Sequence, residues 1–235
     1  METELEPRAT TLPATREPDP YDAFHQATKD DLVLPVRKLM QGVSRRGDTA
    51  KAGEFWDETL DSYKSELRVA IIWMNRERAL FGDDLDSGPR CASDDALKPR
   101  DPAIVDGVHT GPICEDCPFA ALGSGKDGKG QACQFSYRLL CHDLDDSEMF
   151  LLRVGGASRG DWKRYITRGQ RQGTAAYSIT TIIGSEKRKY PKGSAFAITF
   201  KAGSPLPEDT AEIMRELVAE YQGMSFAEPE EVPLE

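Results

Sequence analysis

Four of the chain's five cysteines, Cys91, Cys114, Cys117 and Cys133, fall in one polar stretch between Pro89 and Cys133. Two residues separate Cys114 from Cys117, a spacing at which a tight turn lets both thiolates meet one ion. Cys91 and Cys133 then complete a tetrahedron from two separate segments, and the pattern reads as a structural Zn2+ site. The stretch is poor in large apolar residues, so a metal cross-link explains how it could be ordered. A C-x-x-C pair also serves redox chemistry in thioredoxin-like proteins. That use wants a strand before it and a helix after it, whereas here Gly111-Pro112 precede and Pro118 follows. A disulfide, an iron–sulfur cluster and unliganded cysteines stay open as alternatives. So does replacement of one ligand by Cys141, His142 or His109, although Cys141 reads as a small buried hydrophobe on a strand.

Other chemistries have weaker footing. The run Gly123-Ser124-Gly125-Lys126-Asp127-Gly128-Lys129-Gly130 comes near a phosphate-binding loop, but Gly130 stands where the magnesium-binding hydroxyl belongs, and no helical pattern follows. His25, His109 and His142 form no triad or two-histidine metal spacing. Asp83-Asp84 and Asp94-Asp95 resemble magnesium-binding pairs without a catalytic lysine motif beside them. The reading is a non-enzymatic protein, with a metal-dependent nuclease as the minor alternative.

Two basic segments stand out against a formal net charge of −10. One runs from Arg153 to Gln172 and holds Arg153, Arg159, Trp162, Lys163, Arg164, Tyr165, Arg168 and Arg171; the other holds Lys187, Arg188, Lys189, Tyr190 and Lys192. Cations interleaved with aromatic rings suit a single nucleic-acid strand, because the cations track phosphates while rings accept any base. Arg76 and Arg78, placed just past an apolar strand, would reach such a groove from its rim. The competing reading makes Trp162 and Tyr165 packing residues of a short helix and the cations a solvated face. Trp73 ends an apolar strand and favours the core, whereas Trp56 is evenly balanced.

The elements that must position these groups follow from pattern. Residues 1–30 read as a disordered arm and 224–235 as an acidic disordered tail, which leaves 31–223 as a single domain with an excursion at 89–133. Hydrophobic residues make up 39% of the chain, enough for a core, and no run reaches membrane-spanning length. Strands are expected over 67–74, 135–140, 149–154, 177–183 and 195–200, with a weaker extended segment near 34–41. Glu186–Lys192 reads as a hairpin loop. A short helix capped by Ser158 should stop near Gly169, and a second helix should span Pro207–Gln222 with Ile213, Met214, Leu217, Val218 and Tyr221 as its apolar stripe. The fold class is therefore mainly β with peripheral helices, an OB-like barrel with a Cys-rich zinc knuckle; a mixed α+β sandwich is the alternative.

An ordered set of short motifs carries a resemblance. It comprises Leu34-Pro35 through Leu39-Met40-Gln41, Gly53-Glu54-Phe55, the 67–74 strand with Arg78 beyond it, P-R-C-A-S-D-D, C-E-D-C-P-F, Cys133, and V-G-G-A-S before a basic helix. Together these resemble the zinc-containing single-stranded-DNA-binding-like proteins of bacteriophages and prophages, over residues 32–201. Those proteins usually read C-x-S-x-D-G at the first cysteine, and Asp95 is set here against that glycine. The resemblance implies an OB-like core, a Cys-liganded zinc knuckle and a role beside phage replication or recombination enzymes in the bacterial cytoplasm. The expected partners are single-stranded DNA and, through the acidic tail, replication or recombination proteins, with no membrane and with self-association open. The rival reading is a phage adaptor or inhibitor that binds a protein through the same barrel.

Overall fold

The computed structural model describes residues 34–42, 51–57, 59–82, 88–190 and 193–222. The expected arm, the acidic tail, Asp83, Asp84 and Lys192 lie outside those residues. From Leu34 onward the chain forms one unit. Its strands are β1 (Val36–Leu39), β2 (Phe55–Asp57), β3 (Ser62–Lys64), β4 (Leu67–Phe81), β5 (Pro89–Ser93), β6 (Ile104–Val105) and β7 (Val108–His109). They continue as β8 (Cys133–Asp143), β9 (Met149–Val154), β10 (Ile179–Tyr190) and β11 (Gly193–Pro205), with helices α1 (Arg159–Arg171) and α2 (Glu208–Tyr221). A nine-stranded sheet runs β11-β10-β4-β8-β9-β1-β2-β3, with β5 paired to β4, while β6 and β7 pair separately. The protein is mainly β, and this sheet curls into a half-barrel.

Alternation along the central strands builds two cores. Val69, Ile71, Leu139, Cys141, Phe150 and Leu152 enter one cluster, which Trp162 of α1 caps. Their neighbours Ala70, Ile72, Leu140 and Leu151 enter a second, which Met214 of α2 caps. Successive side chains on a strand point to opposite faces, so apolar residues at both parities require a helix on each face. The β4–β8 register slips between Ile71 and Trp73. This bulge puts Ile72 and Trp73 together on the α2 side.

Side chains tie β10 and β11 to the residues that follow β1 and precede β2. The amide of Gln41 donates to the Phe196 carbonyl at 3.0 Å and accepts from the Phe196 N–H at 2.9 Å, as a neighbouring strand would. Ser185 donates to the Gly53 carbonyl at 2.5 Å. Gly53 has φ 96°, and a Cβ there would stand 2.6 Å from the Phe196 ring, so this contact requires glycine.

Several expectations need correction. Among the described residues eleven strands replace about five and a weaker extended segment, because β2, β3, β5, β6 and β7 are too short to show an alternating pattern. Pro35 discouraged a central strand at 34–41, yet β1 lies between β9 and β2, since Pro35 precedes it and spares its N–H groups. Strand β4 runs through Phe81 rather than ending at Met74, so Arg76 and Arg78 lie within it. Its buried Glu77 is tolerated because Arg138 and Arg153 each approach it at 2.7 Å. Residues 186–190 belong to strand β10 rather than to a loop, paired across to β11 from Glu186↔Ala197 to Tyr190↔Gly193. Ser158 makes no side-chain cap; its hydroxyl accepts the Ile198 N–H at 2.8 Å and ties α1 to β11. Gly169 lies inside α1, which ends before Gly173 at φ 64°. Ile213 is 55% exposed, so the stripe of α2 is carried by Met214, Leu217, Val218 and Tyr221. Among the described residues no helix is long and apolar enough to cross a membrane.

Candidate metal centre and nucleic-acid interface

Strands β5 and β8 flank β4, and one rung sets Leu80 opposite Cys91 on one side and Cys133 on the other. Residues directly opposite in antiparallel strands share a face, so both thiols join Leu80 and Val105 in a small core. The excursion after β5 returns through Cys114, whose N–H donates to Leu97 at 2.8 Å, and Cys117 precedes the single turn Pro118–Ala120. Burial raises the pKa of Cys91; a hydrogen bond with Thr110 opposes this, and nearby Cys114 and Cys117 reinforce it. Burial also pushes Cys133 up to about 11, against the charge of Arg78 and with help from Cys117 and Cys91. Three chain segments thus bring the four thiols into one neighbourhood. All are free; Cys114, Cys117 and Cys133 are buried and Cys91 partly so. As placed, no group of three or more His, Cys, Asp or Glu side chains among the described residues stands as a metal centre.

Two observations bear on whether the thiols suit a metal. Arg78 hydrogen-bonds Cys133, yet its buried Nε and Nη1 have no partner. Such a guanidinium calls for negative charge, which neutral thiols do not supply and metal-bound thiolates do. Cys141 and His142, moreover, cannot substitute for Cys133. They sit eight and nine residues along the same extended strand, about 26–30 Å away at the usual rise. Cys141 is fully buried against the main core, as its strand position predicts. His109 is exposed on β7, next to the Thr110 that meets Cys91.

Asp95 holds the turn after Cys91. Asp95 accepts from the N–H groups of Leu97 at 2.7 Å and Lys98 at 2.9 Å and from the Ser93 hydroxyl at 3.0 Å. Counted from Cys91, Asp95 stands at the carboxylate position of C-x-S-x-D-G, and it is Ala96, whose φ is 60°, that stands in place of the glycine. Asp94 is held by Arg100 at 2.6 and 2.7 Å, a local clasp. The glycine-rich loop closes on itself through Gly123 N–H to Gly130 O at 2.6 Å, and strand β8 follows it rather than a helix.

The two basic segments, distant in sequence, adjoin in the structure. Asp161 of α1 bonds Arg188 of β10 at 2.5 Å and Arg164 at 2.6 Å. Hydrogen bonding from Arg188 leads the causes that lower the pKa of Asp161. Lys163, Arg168 and Arg171 lie on the exposed outer face of α1, where Thr167 and Gln172 complete a shallow hollow. Lys187 lies 6.0 Å from the Phe196 ring, Lys189 is exposed, and Tyr190 is 39% exposed. Arg159 hydrogen-bonds the Gly156 carbonyl at 3.3 Å. Arg76 is exposed on β4, whereas Arg78 turns to the thiols and stands 5.5 Å from the Phe135 ring.

Trp162 and Tyr165 face inward. Trp162 is 2% exposed, with Phe200 at 5.1 Å, Tyr165 stacked at 5.8 Å and Tyr137 at 6.3 Å. The Tyr165 hydroxyl meets Thr181 at 2.6 Å. Trp56 is 9% exposed and its indole N–H donates to Asp61 at 3.1 Å.

Sequence reasoning missed two features. Thr167 and Gln172 join Lys163, Arg168 and Arg171 in the hollow through helical spacing, a signal that charge counting alone ignores. Arg37 is 2% exposed and meets Asp57 at 3.2 Å, and it also bonds Asp143. The partners lie 20 and 106 residues away, so no local pattern announces them. Comparison with protein-family models, with curated proteins and with solved structures finds no match to this chain.

Proposed function

We propose that this chain binds single-stranded DNA with little regard to sequence, as a non-enzymatic partner of phage replication or recombination in the bacterial cytoplasm. The carrying observation is the Asp161–Arg188 contact, which fastens the basic helix to the basic hairpin. Lys163, Arg168, Arg171, Lys187 and Lys189 then lie on joined elements with no ion-pair partner among the described residues. Arg164 and Arg188 are partly neutralised by Asp161 and serve more to shape this surface. Tyr190 offers the accessible ring, while Arg76 extends the cationic surface along the sheet.

In this reading the half-barrel is an OB-like support, and Cys91, Cys114, Cys117 and Cys133 would hold a zinc ion that orders the excursion between β5 and β8. Zinc there would link three chain segments and give Arg78 its missing negative partner. The acidic tail would recruit replication or recombination proteins.

The test is fluorescence anisotropy of a labelled, unstructured oligonucleotide and its matched duplex at two salt concentrations. The reading expects single-strand preference with affinity falling steeply as salt rises. Each phosphate contact removed, as in Arg168→Ala or Lys187→Ala, should lower the log–log salt slope by about 0.7. Equal binding of the duplex, or no binding, would remove the proposal. A second reading, a protein-binding adaptor or inhibitor, has its own support in the excursion. Leu97, Ile104, Ile113 and Leu122 are 64%, 62%, 45% and 86% exposed there, and such side chains mark a protein contact where they adjoin.

A further inference from the structure

A cavity of about 380 Å³ lies between the C-terminal half of α1, the 174–179 segment and β4 at its bulge. Trp162, Tyr165, Ile71 and Met74 give it aromatic and aliphatic walls. Arg168 and Gln172 line both this cavity and the basic hollow on the outer face of α1, so the two adjoin. Trp162 adds a second signal: its buried Nε1–H has no acceptor among the described residues. Buried indole N–H groups ordinarily have one.

We propose that this cavity receives one nucleobase, while the phosphate of the same nucleotide lies in the outer hollow on Arg168 and Arg171. The volume is at the small end of the range for small-ligand sites. A base supplies both a planar face for the aromatic walls and the carbonyl or ring-nitrogen acceptor that the indole lacks. An acyl chain would fill the apolar space but leave Nε1–H unpaired and make no use of the cations. The proposal deepens the strand-binding reading by adding a base subsite under α1, where Trp162 and Tyr165 meet the base from within the fold.

The test follows the Trp162 indole N–H resonance of the full-length protein, assigned through Trp162→Phe, during titration with dTMP, ribose 5-phosphate or octanoate. The expected result is a saturating shift with dTMP and none with the other two. Ala202→Phe, which fills the cavity, should weaken dTMP at least tenfold; Ala176→Leu serves if that variant does not fold. A shift with octanoate alone, or equal dTMP binding in the filled variants, overturns the base subsite. Oligonucleotide binding by anisotropy separates this failure from that of the broader reading. Salt-sensitive oligonucleotide binding without any dTMP shift removes the subsite alone. A dTMP shift without oligonucleotide binding keeps the subsite and removes strand coating. Loss of both signals removes both.

Discussion

Each end of β8 meets an arginine with buried donors, and the two arginines are satisfied differently. At the Asp143 end, Arg37 lies against two carboxylates and has the Phe150 ring 4.1 Å from its guanidinium, while Lys64 also reaches Asp143 at 2.9 Å. At the Cys133 end, Arg78 faces sulfur and keeps Nε and Nη1 unpaired. At the first end the arginine has its negative partners in the protein's own side chains. The second lacks negative charge until thiols become thiolates, the change that metal binding imposes. Apolar burial divides the same way: Leu67, Val69, Leu139 and Leu152 are fully buried in the sheet, whereas the excursion exposes most of its large apolar residues.

The largest test of this contrast is Cys117→Ala. Structural zinc contributes about 10–16 kcal/mol of binding free energy that is also folding free energy, so losing a ligand should release the metal and lower the melting temperature. Zinc content and calorimetry check this, and full zinc content with unchanged melting would remove Cys117 from the site. Next comes Arg37→Met, which leaves Asp57 buried without its cation and Asp143 with Lys64 alone, and should cost about 3–5 kcal/mol in urea unfolding.

The same carboxylate end sets a pH window. Burial would raise the pKa of Asp143, but hydrogen bonds from Arg37 and Lys64 outweigh it and bring the pKa down to about 2. A depressed carboxylate stabilises the fold above its unfolded value near 3.9 and loses that contribution as pH falls toward about 2. Urea midpoints across that range should therefore fall in the native protein more than in Asp143→Asn.

Arg78→Met tests the opposite end. Removing the charge beside the thiols should weaken zinc about 10–100-fold, as loss of an outer-shell partner does, measured by competition with a chelator. The smallest effect belongs to Ala96→Gly. Relief of a left-handed alanine should add about 1 kcal/mol, visible as a higher urea midpoint.

The sequence made the middle of the fold legible because long apolar strands announce themselves: the β9 segment 149–154 and the buried Cys141 were readable from pattern. It hid the short strands, whose pairing comes from partners far along the chain, and the charged half of β4, where Glu77 is buried only because Arg138 and Arg153 arrive from β8 and β9. The Cys91–Cys133 neighbourhood was legible from residue type and spacing. The inward turn of Trp162 was legible only as one of two readings, since basic residues crowd the same helix and it is the 3.6-residue period that places Trp162, Tyr165, Ile166 and Gly169 toward the sheet. The basic surface was legible as two segments but not as one, because the Asp161–Arg188 contact spans 27 residues.

The most direct measurement of the contrast is native mass spectrometry of the full-length protein, paired with thiol labelling without denaturant. The account predicts one zinc ion per chain and protection of Cys91, Cys114, Cys117 and Cys133 until a chelator or acid removes the metal. A metal-free mass in zinc-containing buffer, with Cys91 labelling freely and the fold unchanged by chelator, would contradict it.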